Sequence, residues 1–234
     1  MHSRSFLFAL AVALMPSLAG AETAKQPAVV ELYTSQGCSS CPAADAVFSR
    51  LTDRSDVIAL SLHVDYWDYL GWKDSFASPG YAKRQRAYAR AAGKTMVYTP
   101  QMIINGQVMI VGADASAVAA ALAPVGGGEV AELVLRRGSG GLTINATSTG
   151  PLAAGTFVQL VRYKPTAEVN IKRGENAGRT IRYDNIVTSW KQVGTWDGRK
   201  PLEMKVPLSG NEPAVVLIQG PGPGAILAAA VVEN

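Results

Sequence analysis

Val29-Val30-Glu31-Leu32-Tyr33-Thr34-Ser35-Gln36-Gly37-Cys38-Ser39-Ser40-Cys41-Pro42 is the stretch from which the fold of this chain is read. Val29 to Thr34 predicts a strand and Ser35-Gln36-Gly37 a turn, and a helix starts near Cys38 to Pro42. Pro42 fits the first helical turn, where its missing N–H costs nothing, and Val47, Phe48 and Leu51 follow at helical spacing. The C-x-x-C of Cys38-Ser39-Ser40-Cys41 therefore stands where a strand gives way to a helix. A thiol in that position faces unpaired backbone N–H groups and the positive end of the helix dipole, which favour thiolate over thiol. Cys38 is thus the expected nucleophile. Cys41, one helical turn later, is placed to resolve a mixed disulfide by attack on the same sulfur. Ser39 and Ser40 can offer hydroxyl donors to the thiolate.

Working outward, Val57 to Val64 is nearly continuous apolar sequence, as in a buried parallel strand. Ser78-Pro79 opens a helix that runs to about Ala92 and stops at Gly93. Two short strands follow, Gln101 to Ile104 and Val108 to Val111, joined by the hairpin signal Asn105-Gly106. Asp114 caps a last helix to about Ala123. The order is βαβαββα, an α/β arrangement over residues 22–123. Thr99-Pro100, just before the hairpin, is well placed for a cis bond. Pro124 to Gly128 reads as a Gly-rich linker. Beyond it, over residues 129–234, eight short strands are expected: Val130–Leu135, Leu142–Thr147, Phe157–Tyr163, Val169–Arg173, Ile186–Trp190, Leu202–Leu208, Val215–Gln219 and Ile226–Val231. Turn residues separate them, which predicts a C-terminal antiparallel β-sandwich.

The whole chain has 234 residues, 22 basic and 18 acidic side chains, and two cysteines. Two cysteines exclude a multi-disulfide scaffold, and an ordinary apolar fraction of 48% excludes disorder. Residues 1–21 read as a secretory signal peptide, with Arg4, an apolar Phe6 to Met15 and a small-residue Ala19-Gly20-Ala21. The apolar run falls short of the ~20 residues that a membrane span needs. The mature protein is therefore expected to be exported, periplasmic or secreted, with no membrane span after signal removal. Without residues 1–21 the chain keeps 21 basic and 18 acidic groups, too small an excess to argue for nucleic acid. No cofactor is implied.

Cys38 to Cys41 after an apolar strand, Thr99-Pro100 opening the next strand, Asn105-Gly106 at the hairpin and Gly112 closing it resemble the thioredoxin superfamily. More narrowly, the run Val30 to Pro42, the run His63-Val64-Asp65-Tyr66-Trp67-Asp68 and the run Arg173-Gly174-Glu175-Asn176-Ala177-Gly178-Arg179 resemble an exported bacterial family known as domain of unknown function 1223. The thioredoxin resemblance covers about residues 28–123. It implies thiol–disulfide exchange with a protein or small thiol partner, with Cys38 and Cys41 catalytic and the Thr99-Pro100 loop contacting substrate. The chain departs from thioredoxins in having Gly37 where they carry Trp and Ser-Ser where they carry Gly-Pro, and in the long insertion from Asp65 to Thr95.

Other readings of the same residues stay open. A structural disulfide closing four residues is a poor staple, about 1.9 kcal/mol against about 3 for a fifteen-residue loop. A closed zinc site wants four ligands, whereas Cu(I) is satisfied by two thiolates with His63 as a third ligand, so a binding module is the alternative class of function. Partner binding through the second half is its other form. Glu31 reads either as a buried acid that takes a proton from Cys41 or as a solvated carboxylate on an edge strand. His63 reads either as a group that tunes Cys38 or as a core histidine. Tyr66, Trp67, Tyr69 and Trp72 wall a substrate groove or cap the sheet. Lys83, Arg84, Arg86 and Arg90 predict a solvated basic face opposite a stripe of Tyr81 and Tyr88.

Overall fold

Strand β1, Ala28–Thr34, lies at the centre of the first half, paired in parallel with β2, Val57–His63, and antiparallel with β3, Gln101–Ile104. The computed structural model describes residues 26–123 and 130–233. The expected signal peptide, 1–21, and linker, 124–128, lie outside the described residues. Helix α1, Cys41–Leu51, follows β1, and α2, Pro79–Ala91, follows β2 after a single 3-10 turn at Asp68–Leu70. Strand β4, Val108–Val111, and α3, Ala115–Leu122, complete the βαβαββα order. The caps act as the sequence predicts: Ser78 Oγ accepts from Gly80 N, and Asp114 accepts from the amides of Ser116 and Ala117. Asn105 and Gly106 both take left-handed φ, 49° and 70°, at the hairpin.

The second half holds β5 (Ala131–Gly138), β6 (Gly141–Ser148), β7 (Phe157–Asn170), β8 (Thr180–Thr195), β9 (Leu202–Val206), β10 (Ala214–Gln219) and β11 (Ile226–Val232). These strands do not form two sheets of their own. β8 pairs in parallel with β2 at Ser61 and Ile186, so β7, β8, β10 and β11 extend the first half's sheet. The result is one eight-stranded mixed sheet, β11-β10-β7-β8-β2-β1-β3-β4, and a separate three-stranded sheet, β5-β6-β9. The physical reason lies in β2, which is buried along its whole length. With β1 on one side, its other edge would present unpaired N–H and C=O groups on an apolar strand, and β8 covers it.

Two strands expected as separate, Phe157–Tyr163 and Val169–Arg173, are one strand that ends at Asn170. Pro165 misleads the sequence reading, because a proline normally stops a strand. Here Lys164 pairs with Ile186 and Thr166 with Asp184, leaving Pro165 across from Asn185, whose left-handed φ of 45° steps the chain past it.

The large sheet has helices on both faces. Tyr81, Ala82 and Tyr88 of α2 pack on Val29, Tyr33, Leu60 and Leu62. On the other face Ala44, Val47, Phe48 and Leu51 of α1, with Val118 of α3, pack on Val30, Leu32 and Ala59. That same face, further along, is covered by β5-β6-β9 through Leu142, Ile144 and Val206 against Val158, Leu160, Val216 and Ile218. Alternation along β1 and β2 thus assigns Thr34 and His63 to the α1 side, and Glu31 to the α2 side.

Candidate functional site

The turn after β1 is built by local hydrogen bonds. Ser35 Oγ accepts from Gly37 N at 3.1 Å, Cys38 N donates to Ser35 O, and Cys41 N donates to Cys38 O. Ser40 is the N-cap of α1 but makes no side-chain cap bond, and no acid lies in the first turn. Its hydroxyl lies 3.4 Å from Cys38 Sγ instead. Cys38 and Cys41 form a disulfide, and both are buried, at 1% and 0% exposure.

Thr99–Pro100 is a cis peptide and faces this disulfide. Thr99 Oγ1 donates to Cys38 Sγ at 3.3 Å and accepts from Trp67 Nε1 at 2.7 Å. The aromatic insertion therefore reaches the sulfur through one hydroxyl. Gly37 completes the contact, because a Cβ there would sit 3.2 Å from Trp67 Cβ. Trp72 Nε1 donates to Gln36 Oε1, and Tyr66 OH to Gln85 Oε1. Tyr69 stacks on Trp67 and stands 77% exposed.

His63 lies directly behind the turn. Its Nδ1 is 2.7 Å from Asp74 Oδ2, and the same carboxylate accepts from Gln36 N at 2.8 Å and Phe76 N at 2.9 Å. Burial works to raise the Asp74 pKa, and His63 with the two amides overcomes it, holding this carboxyl below the ordinary value. An ionised carboxylate only accepts, so Nδ1 carries the proton and donates. His63 Nε2 is buried without a partner, as are Thr34 Oγ1, Asp45 Oδ2 and the Tyr183 hydroxyl. Asp45 falls on α1 four residues after Cys41, the spacing that shares a helix face. Burial pushes its carboxyl up to about 7, against the pull of His63 and with the push of Asp74. One helical turn below Cys41, then, stands a group whose proton is held near neutrality.

Glu31 is elsewhere. It faces α2, where Arg84 Nε and Nη2 donate to its two oxygens at 2.7 Å each, joined by the hydroxyls of Tyr33 and Tyr88. Burial first, and Glu31's charge second, hold both phenols protonated, so they donate. The oxygens of Glu31 are occupied on the face opposite α1, and the structure does not bring it to the cysteines. Arg84 departs from the expected solvated face: it is half-buried against Trp190, 3.8 Å from that ring, whereas Lys83, Arg86 and Arg90 are exposed. A cavity of about 560 Å³ opens on this same side, walled by Tyr81, Phe157 and Trp190, and neither cysteine lines it.

The β7–β8 loop also reaches the site, which the sequence did not reveal. Asn176, buried at 1%, donates through Nδ2 to Gln36 O at 3.0 Å and Cys38 O at 2.9 Å. Glu175 Oε2 accepts from Ser39 N at 3.1 Å, so Ser39 contributes its backbone. Both residues lie in the Arg173–Arg179 run, whose unusual density of Gly and polar residues is the available signal. Asp45 had a weaker one, an acid among the apolar positions of α1.

The fold and site define a mixed α/β protein with a buried Cys38–Cys41 disulfide at a helix start. The family model described as "Protein of unknown function (DUF1223)" matches residues 29–219, and the chain belongs to that family. The crystal structure of protein AGR_C_4864 from Agrobacterium tumefaciens is similar at 34% identity and TM-score 0.76, covering 89% of this chain and 96% of that one. HBP35 of Porphyromonas gingivalis is similar at 14% identity and TM-score 0.55, covering 88% of this chain and 74% of that one, a likeness of fold alone. No curated protein matches this chain. Among the described residues no helix is long and apolar enough to cross a membrane.

Proposed function

We propose that this chain is an exported, thioredoxin-like protein that exchanges thiols and disulfides with a protein or small thiol partner. The observation that carries the reading is the Cys38–Cys41 pair at the start of α1, with the Thr99–Pro100 loop hydrogen-bonded to Cys38 Sγ. In the oxidising direction a partner thiolate attacks Cys38, forming a mixed disulfide and releasing Cys41 as thiolate. Asp45 gives its proton to that thiolate. A second partner thiol, losing its proton to Asp45, then attacks the first partner sulfur in the mixed disulfide and expels Cys38 as thiolate, which leaves the two partner sulfurs joined in a disulfide and Cys38 and Cys41 reduced. Run backwards, the same steps reduce a partner disulfide, with Cys41 attacking Cys38 and its proton passing to Asp45.

Burial of both cysteines favours a second reading, a binding module whose disulfide is structural. One experiment separates the two: equilibration of the mature protein with glutathione buffers, followed by alkylation and mass measurement. A potential above about −230 mV, with a Cys41→Ser chain trapping a mixed disulfide through Cys38, supports exchange. A disulfide that resists reduction below about −300 mV, with no trapped species, sinks it in favour of the structural bond. The mass of the protein recovered from outside the cytoplasm checks the expected removal of residues 1–21.

A further inference from the structure

Among the described residues the second half of the chain reaches the turn around Cys38 through the β7–β8 loop, and Tyr183 of β8 packs edge-on against His63 behind it. Asn176 fixes the loop to the carbonyls of Gln36 and Cys38, and its own Oδ1 accepts from Arg179 Nη1 at 3.0 Å. One residue earlier, the Glu175 carboxylate takes the N–H of Ser39, the residue after Cys38. That amide is the first backbone N–H after Cys38, just ahead of the Ser40 N-cap, and α1 has neither a side-chain cap bond nor a first-turn acid. Such donors stabilise a thiolate at Cys38 once the disulfide opens. A carboxylate bonded to that amide withdraws it as a donor and brings a like charge to the residue next to Cys38, and both effects disfavour the thiolate.

We propose that Glu175 is a positioning residue that restrains Cys38, so that the second half of the chain sets the reactivity of the disulfide carried by the first. The proposal rests on the exchange reading only in taking Cys38 as the reacting sulfur. Of the other charged groups around the turn, Asp74 holds His63 and Gln36 N, Asp68 accepts from Asp74 N, Arg179 is held by Asn176, and Asp45 stands one helical turn below Cys41 on α1. Glu175 itself is exposed, so its influence on Cys38 is screened and of moderate size.

The test uses the reduced full chain in a Cys41→Ser background, with and without Glu175→Gln. Glutamine keeps an acceptor for Ser39 N and removes the charge alone. The ultraviolet absorbance of the thiolate, followed against pH, reports the Cys38 pKa without requiring a reagent to reach the sulfur. Glu175→Gln is expected to lower that pKa by about half a unit to one unit. Alkylation at pH 7 should quicken about three- to tenfold, and both differences should shrink in about 1 M salt. A loop that acts only as a mechanical pin predicts equal pKa values in the two chains, and that result overturns the proposal. Failure of the exchange reading looks different: wild-type protein would not equilibrate with glutathione, while the pKa comparison would still stand or fall by itself.

Discussion

At the scale of single residues, the acid that matters stands one turn below Cys41 on α1. Asp45 has a folded pKa near 7 against an ordinary 3.8, burial being the main cause. The folded chain therefore binds a proton there that the unfolded chain has released, and between about pH 4 and pH 7 this group makes stability fall as pH rises, by up to ~4 kcal/mol. Asp45→Asn should abolish that fall: denaturant unfolding at pH 5 and pH 8 should show the variant gaining on wild type at the higher pH. An equal slope in both chains would refute the assignment. In exchange assays the same variant should lose the limb of the pH–rate profile near neutrality. The oxygens of Glu31, by contrast, are fully paired, with Arg84, Tyr33 and Tyr88 donating to them. Glu31→Gln leaves the Arg84 cation without its counter-charge in a buried network, an expected cost of roughly 3–5 kcal/mol in unfolding free energy, with Cys38 reactivity in the folded fraction unchanged. The cysteines and the Thr99-Pro100 pair were legible because their chemistry is local. The face of Glu31 was not, because β1 is buried on both sides and its sequence shows no alternation. Asp74, Glu175 and Asn176 were not legible as site residues, since each acts through a tertiary hydrogen bond to the turn that no local pattern announces.

At the scale of elements, what could be read locally was read well. Ser78 and Asp114 mark helix starts by the acceptors they offer, and Asn105-Gly106 marks the hairpin by the φ values only such residues take easily. The full length of β7 and β8 and their joining to the large sheet escaped, because the β2 edge they cover lies far off in sequence and because Pro165 hides the continuity of the ladder. The hairpin turn also does something no local rule announces. Asn105 Oδ1 accepts from Val29 N at 2.8 Å, Asn105 O accepts from Ile226 N at 2.9 Å, and a Cβ on Gly106 would run into the carbonyl oxygen of Gly224. Gly106→Ala therefore meets two penalties, a left-handed φ of 70° and a displaced 220–224 loop. We expect a loss of about 2–3 kcal/mol with an unchanged denaturant slope. A loss below about 1 kcal/mol, the cost of the φ alone, would show that the loop simply yields.

At the scale of the molecule, the two edges of the eight-stranded sheet are drawn toward one another. β11 and β4 are its outermost strands, yet the start of β11 meets the β3–β4 turn, and Gln26, just before β1, accepts from Ala229 N and donates to Ala131 O. The second half thus covers the edge of β2 through β8, holds the turn before Cys38 through Asn176, and bridges back to the chain ahead of β1. None of these contacts can form if residues 130–233 are removed. A chain of residues 22–123 would expose the apolar edge of β2 and strip the buried face of Val29, Tyr33 and Leu60 of Val161, Val187 and Val215. An exposed apolar edge strand invites pairing with another chain. We therefore expect this fragment to aggregate or to melt without a cooperative transition, and the intact chain to unfold in a single step with equal calorimetric and van't Hoff enthalpies. Two resolved transitions, or a monomeric fragment with a melting temperature within about 5 °C of the intact chain, would mean that the shared sheet is a seam between independently stable units. The distinction bears directly on chemistry, because only a cooperative molecule holds the β7–β8 loop over Cys38 for as long as it remains folded.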